Sequence, residues 1–471
     1  MPAWDRLSAL DSAFLDLETT EAPLHVGWTI RVDGRPPSLA ALRRHLDARL
    51  ERVPRFRRRV LRPLLGDAHW ADDQAFDIAR HVHAMAVPAP GGPGELRELA
   101  GELLSDPLDH DHPLWRMYLV RGLSSGWAVI GQAHHALVDG IAAVEVAMLL
   151  FDAAGFDVPA TKPAHWSPAR APLPGAAPLA FATDRVRGTA RLARSAAGAL
   201  PSGRVGRSTL PDVGTALRQL TSAAAETGLD RSATARRSVA FGEVSLDAAR
   251  TAGARHGATV NDVLLAASTI ALGRALRRRG DTPEELKALV PVSVRGAEAA
   301  GDLGNAISFV TVELPVAETD PVAALRRIHS RMQARKAGDA AGPLHAVAQL
   351  GDLLPGPARR AVTRAAAGTA AFNCVVSNVP GPPVDLELLG RRVTAIFPAV
   401  PFIHGHSLSI GALSYRGRLH LGLYADADVV PDAVDVARDL EAAFDALRLP
   451  PEPRDTPWRA RAQRRRATRR A

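Results

Sequence analysis

Six prolines (Pro159, Pro163, Pro168, Pro172, Pro174 and Pro178) fall within residues 159–178 of this chain. Proline fixes φ and lacks a backbone donor, so neither a helix interior nor a central strand can run through such a stretch. The 471 residues must therefore fold in blocks on either side of it, and that length suits two or three domains. Both flanks alternate strand-like and helix-like spacing. Before the break, Leu24–Val32, Met117–Val120 and Trp127–Gln132 read as strands, and Leu39–Arg52 reads as a helix. After it, Ser238–Val244, Leu289–Val294, Ala306–Leu314, Phe372–Ser377, Ser407–Ser414 and Arg418–Tyr424 read as strands. Leu246–His256, Asp262–Arg279 and Pro431–Leu447 read as helices. The expected architecture is α/β with mixed sheets. It divides into a subdomain over 1–158, a Pro/Ala/Arg-rich crossover over 159–235, a second subdomain over 236–450 and a disordered basic tail over 451–471. Two similar blocks leave a cleft between them, a favoured place for a ligand site.

Charge narrows the classes of partner. The chain carries +8. From Glu452 to Ala471, eight arginines stand against Glu452 and Asp455, so +6 of that total lies in the tail. The nearly neutral body argues against a dedicated nucleic-acid binder. The single cysteine, Cys374, lies in an apolar run and reads as a buried thiol in a reducing compartment. The N-terminus lacks the basic and apolar regions of a secretory leader, and the apolar run Ile141–Phe151 is too short to span a bilayer. The expectation is a cytoplasmic protein. Arg185–Leu200 reads as a weakly amphipathic basic helix, either packed on the protein or resting on a membrane surface.

The chemistry concentrates at His134-His135-Ala136-Leu137-Val138-Asp139-Gly140, where a strand-like run meets a helix-like one. An unperturbed histidine has a pKa of ~6.5, suited to a general base. Asp139 suits a helix N-cap, and Gly140 permits a sharp turn. Other site types fit less well. Gly122-Leu123-Ser124-Ser125-Gly126 spells a nucleophile elbow, but it joins two strands, whereas that motif needs a strand and a helix. The spaced histidine pairs His81/His83, His110/His112 and His404/His406 lack the ligand spacing of a zinc site, so no metal is expected. Asn261 opens a long helix, as an N-cap or as a donor to a developing oxyanion. Arg295 ends a strand as a cation able to pair with an aspartate, and Ser377-Asn378-Val379-Pro380-Gly381-Pro382 is a turn-rich strand exit.

Together these segments resemble the bacterial wax ester synthase/acyl-CoA:diacylglycerol acyltransferases. The resemblance begins at Leu7–Leu15 and Pro23–Gly27. It continues through Phe76-Asp77-Ile78, His81-Val82 and Pro113-Leu114-Trp115 to His134–Gly140. It then takes in Asn261-Asp262, Pro291–Arg295, Gly304-Asn305, Ser377–Pro382, Leu413-Ser414-Tyr415 and Gly422-Leu423, in order and over nearly the whole chain. Residues 159–235, His404-Gly405-His406 and the Arg-rich tail depart from the pattern. The resemblance implies two chloramphenicol-acetyltransferase-like subdomains with an active-site tunnel between them. It implies acyl transfer from acyl-CoA, as substrate and with no cofactor, to diacylglycerol or a long-chain alcohol. His135 would be the base, with His134 secondary, Asn261 a candidate oxyanion donor and Asp139 a support for the histidine loop, with Arg295 as its candidate partner. Gly140 and Asp262 would be structural, and Pro113, Leu114, Trp115, Ser377 and Asn378 would contact substrate. A peripheral place on a membrane or lipid droplet fits such substrates, and the sequence sets no oligomeric state. Two alternatives stay open: an acyltransferase esterifying a specialised-metabolite alcohol from CoA or a carrier-protein thioester, and a non-catalytic lipid-binding protein.

Overall fold

The computed structural model describes residues 4–62, 68–153, 166–169, 224–231, 234–293, 307–337, 360–361, 363–364 and 372–448. Arg295, Gly304-Asn305, the Arg185–Leu200 helix, most of the crossover and the basic tail lie outside them. The N-terminal half runs β1 (Trp4–Arg6), α1 (Ala9–Leu17), β2 (His25–Val32), α2 (Leu39–Asp47), β3 (Arg58–Leu61), β4 (His69–Asp72) and β5 (Val82–Ala86). It continues with α3 (Pro93–Leu103), β6 (Trp115–Arg121), β7 (Trp127–His134), α4 (Gly140–Leu150) and β8 (Asp152–Ala153). The C-terminal half runs β9 (Arg237–Ser245), α5 (Leu246–Ala254), α6 (Val260–Arg278), β10 (Leu286–Ser293), β11 (Ile307–Leu314), α7 (Pro321–Ala337) and β12 (Cys374–Val379). It ends with β13 (Leu386–Leu388), β14 (Arg391–Ala399), β15 (Leu408–Tyr415), β16 (Arg418–Asp426) and α8 (Ala433–Arg448).

The two large sheets are mixed, as expected. One has seven strands in the order β5-β6-β7-β2-β14-β13-β8, and the other six in the order β11-β10-β12-β15-β16-β9. A small third sheet orders β1-β4-β3. β7 is buried along its whole length, which suits its apolar start, Trp127–Ile130. The Gly122–Gly126 stretch is the β6–β7 hairpin connection, and both glycines hold positive φ, +84° and +69°. The apolar alternation from Leu39 to Arg52 does not make one helix. α2 stops at Asp47, and 3-10 turns over Leu50–Arg52 and Pro54–Arg57 follow, the second with proline at its start.

The halves are interleaved in a way the sequence pattern does not show. β14 leaves the C-terminal half and pairs antiparallel with β2, from Val393 opposite Val32 to Ala399 opposite Gly27. Its far end then lies on the C-terminal sheet. Gly411 of β15 and Gly422 of β16 are directly paired, and both are kept bare for Pro398: a Cβ on Gly422 would stand 1.7 Å from the Pro398 carbonyl oxygen. Phe241 of β9 stacks on Phe397 at 4.5 Å. Buried Arg237 reaches across the same seam, bonding the Glu21 carbonyl while its guanidinium lies 4.8 Å over the Phe402 ring.

Candidate active site

β7 delivers the histidine pair. His134 is its last residue, opposite His25 of β2, and is fully buried. His135 is the first residue beyond the strand, held by its backbone N–H to the Leu24 carbonyl at 2.8 Å. The Leu137 N–H returns to the His134 carbonyl at 2.8 Å, so the chain turns at once toward α4. Asp139 is the N-cap of α4, and its carboxylate accepts the Ala142 N–H at 2.7 Å. It is fully buried. The expected partner Arg295 lies outside the described residues. Gly140 is the first residue of α4 and does not hold positive φ. Its missing side chain serves a close approach instead, since a Cβ there would stand 2.9 Å from Val379 Cγ2.

α4 is apolar apart from Glu145, and its apolar residues serve two surfaces. One flank joins the N-terminal core through Ala142, Val146 and Leu150. Ile141, Ala143 and Ala147 line a cavity of about 370 Å³, which Val146 and Leu150 also reach. That volume falls in the usual range for small-molecule sites. Both halves line it: His135, Gly140 and Trp28 from one, Asn261, Pro291, Ser377, Asn378 and Pro398 from the other. The structure thus brings His135, Gly140, Asn261, Ser377 and Asn378 to one wall-to-wall space.

Other expected residues sit elsewhere. The N-cap of α6 is Thr259, not Asn261: Thr259 accepts the Asp262 N–H at 3.2 Å, and Asp262 returns to the Thr259 N–H at 2.9 Å. That capping box leaves the Asn261 side chain free of the cap and in the first turn, on the cavity wall. Asp262 is buried and also lies 2.9 Å from His329 Nδ1, tying α6 to α7. Leu114 and Trp115 belong to the N-terminal core, where the Trp115 indole donates to the Phe56 carbonyl at 2.7 Å. Pro113 and Trp115 border a separate cleft with Arg80, His112 and Arg116. Pro113-Leu114-Trp115 therefore does not line the main cavity, and its tryptophan is used for packing.

Two neighbours of the histidine pair were not evident from sequence. Phe14 of α1 stacks on His135, ring centroids 4.0 Å apart. Glu18, the C-cap of the same helix, places Oε2 2.8 Å from His110 Nε2 and 3.5 Å from His134 Nε2. Burial disfavours the Glu18 carboxylate, but His110 and His134 outweigh it and hold the group well below the usual carboxylate range. Burial pushes His134 down, against the pull of Glu18. His25 is pushed down to about 4 by burial and meets the Leu104 carbonyl at 2.9 Å. The only sequence signals were His110 within a spaced histidine pair and Glu18 four residues after Phe14, neither of which indicates contact. Among the described residues no cluster of three or more His, Cys, Asp or Glu could hold a metal ion. Cys374 is buried, and burial raises its thiol to about 12.

This arrangement suits proton abstraction in an apolar space, and comparison with known proteins gives it a lineage. Residues 7–264 match the wax ester synthase/diacylglycerol acyltransferase catalytic domain, and residues 303–448 match the C-terminal domain of the same family. The chain is 32% identical to the probable diacylglycerol O-acyltransferase tgs1 of Mycobacterium tuberculosis, over 94% of this chain and 96% of that one. It is 30% identical to the probable diacylglycerol O-acyltransferase tgs2 of the same organism, over 94% and 98%. The wax ester synthase/diacylglycerol acyltransferase of Marinobacter aquaeolei VT8 superposes with a TM-score of 0.66, at 24% identity over 94% of this chain and 98% of that one. The first condensation domain of the calcium-dependent antibiotic synthetase superposes at 0.60, with 15% identity over 95% and 97%. At these identities the two solved structures speak for the fold. The matched domains and the long, even identity with the mycobacterial proteins speak for more: this chain is an acyltransferase of the wax ester synthase/diacylglycerol acyltransferase family.

Proposed function

We propose that this protein transfers a long-chain acyl group from acyl-CoA to the free hydroxyl of diacylglycerol, forming triacylglycerol, with His135 as general base. The observation that carries the reading is the placement of His135 on the wall of an apolar cavity lined by both halves. The imidazole takes the acceptor's proton as its oxygen attacks the thioester carbon. The resulting oxyanion is stabilised by Asn261, whose place in the first turn of α6 adds the helix's positive end. Collapse breaks the C–S bond, and His135 passes its proton to the departing sulfur, so CoA leaves as the thiol and the base is restored. No acyl-enzyme forms. The relatives named above favour diacylglycerol as acceptor, with a long-chain alcohol as a second substrate. We place the protein at a lipid surface, since its acceptor resides there. Among the described residues no helix is long and apolar enough to cross a membrane.

The test uses palmitoyl-CoA with dioleoylglycerol or hexadecanol. The expected result is free CoA and triacylglycerol, with wax ester in the second case. Saturable lipid binding without CoA release would mark a binding protein instead. His135→Ala should lose at least ~100-fold in kcat while remaining folded, and near-normal turnover would remove the base assignment. A stoichiometric acyl adduct in intact-mass spectra would contradict direct transfer.

A further inference from the structure

We propose that Glu18 is a positioning residue for acyl transfer, holding His134 in one tautomer so that His134 can hold the loop that presents His135. The inference rests on the reading of His135 as the base. Its starting point is the bonding of His134. The Ala136 N–H donates to His134 Nδ1 at 3.0 Å, so Nδ1 carries no proton. The ring's proton is therefore on Nε2. That atom is buried and, among the described residues, has no hydrogen-bond partner nearer than Glu18 Oε2, 3.5 Å away. The tautomer that satisfies the loop is thus the one that faces a carboxylate, which orients the ring through electrostatic attraction.

Glu18 is placed for this task, with His110 at 2.8 Å holding the same carboxylate oxygen. Its side chain is 11% exposed, and the groups nearest its charge are His110 and His134, with His25 farther off. Arg62 of the segment after β3 adds a weak positive field at His134. A buried carboxylate supported by imidazoles rather than a guanidinium is costly as a structural element. Its backbone is fixed by the helix end, where the Glu18 N–H meets the Phe14 carbonyl at 3.1 Å. The last turn of α1 therefore contacts both histidines, His135 through Phe14 and His134 through Glu18. Without the carboxylate, the bond from the Ala136 N–H is left to oppose a proton shift to His134 Nδ1 unaided. After such a shift the Ala136 N–H would face a second donor, and the loop from His134 to Val138 would lose its anchor.

A double-mutant cycle on the full-length protein tests this. His134→Asn supplies an acceptor where Nδ1 stood and has no tautomer to set. Glu18→Ala should lower kcat by roughly 10- to 100-fold in the native background, with little change in KM. In the His134→Asn background the same substitution should cost less than about threefold. Glu18→Gln, which keeps an acceptor, should recover part of the loss, and it replaces Glu18→Ala in the cycle if the alanine variant does not fold. Melting temperatures taken through the same cycle should be non-additive, which keeps the test readable if turnover is low. Equal losses in both backgrounds, additive melting shifts, or folded Glu18 variants with kcat within twofold of native would overturn the proposal. His135→Ala measured alongside separates the two readings, since active His135→Ala protein removes the base while leaving the Glu18–His134 coupling to stand or fall alone.

Discussion

Phe14 and His135 lie nearly flat against each other, with ring centroids 4.0 Å apart and planes 14° from parallel. The stack restricts the imidazole to motion within its own plane, so its nitrogens sweep a narrow part of the cavity wall. Aromatic pairs contribute ~0.5–1.5 kcal/mol beyond area burial. Phe14→Leu should therefore lower kcat by roughly 2- to 10-fold and leave KM for acyl-CoA close to native. Phe14→Tyr should retain most of the rate. Steady-state kinetics of the two variants check this, and an unchanged kcat in Phe14→Leu would show that the stack does not orient the base.

Asp139 links the loop to the helix. Its carboxylate holds the Ala142 N–H inside a fully buried site. Asp139→Ala should cost ~0.5–2 kcal/mol for the lost cap, seen as a melting temperature several degrees lower, together with a lower kcat because the same cap ends the His135 loop. Asp139→Asn keeps an accepting oxygen and should melt closer to native. If Asp139→Ala loses rate without losing stability, the cap is not its main contribution.

At Gly422 the two sheets approach closely. A Cβ there would stand 1.7 Å from the Pro398 carbonyl oxygen, whereas one at Gly94 would meet nothing nearer than 3.9 Å. Gly422→Ala should destabilise the fold by ~1–3 kcal/mol or more and depress activity, because Pro398 also lines the cavity. Gly94→Ala, inside α3, should be neutral or stabilising. Paired thermal melts distinguish the two, and a Gly422→Ala protein as stable as native would mean the seam is looser than drawn.

Acid should destabilise the protein well above the usual carboxylate range. Burial lowers His25, His81 and His406 to about 4 each. In the unfolded chain these rings titrate near ~6.5. Between those values the unfolded state binds more protons, so stability rises with pH across the window and is lost as pH falls from about 6.5 toward 4. Glu18, also lowered, acts in the same direction at still lower pH. Melting temperatures should climb from pH 4 to pH 6.5 and then level. A flat profile over that range would show that the buried rings are not held neutral.

Local chemistry was legible in the sequence where it is also local in space. The runs that became β2, β6, β7 and β9 show strand patterning, the Gly122–Gly126 hairpin followed from its flanking strands, and His135 and Asp139 sit at the junction their spacing suggested. The misplacements arose where several adjacent residues could serve one role. Thr259, Asn261 and Asp262 can all cap a helix, and the backbone geometry selected the Thr259/Asp262 pair. Trp115 resembles a substrate contact in a conspicuous motif, yet a large ring beside Phe56 is more stable in the core. Glu18 was not legible at all, because its role depends on α1 packing against the end of β7, and no periodicity encodes which elements meet.

The β2–β14 pairing has a consequence for the order in which this protein can be made. β2 follows Pro23 near the start of the chain, and the strand that completes its outer edge is not synthesised until residues 391–399. Until then the nascent N-terminal half presents an open, largely buried-type edge to other chains, the feature from which aggregation starts. Translation must pass most of the gene before that edge closes. Cutting the protein between its halves would thus yield an N-terminal fragment lacking a central strand rather than a free-standing domain.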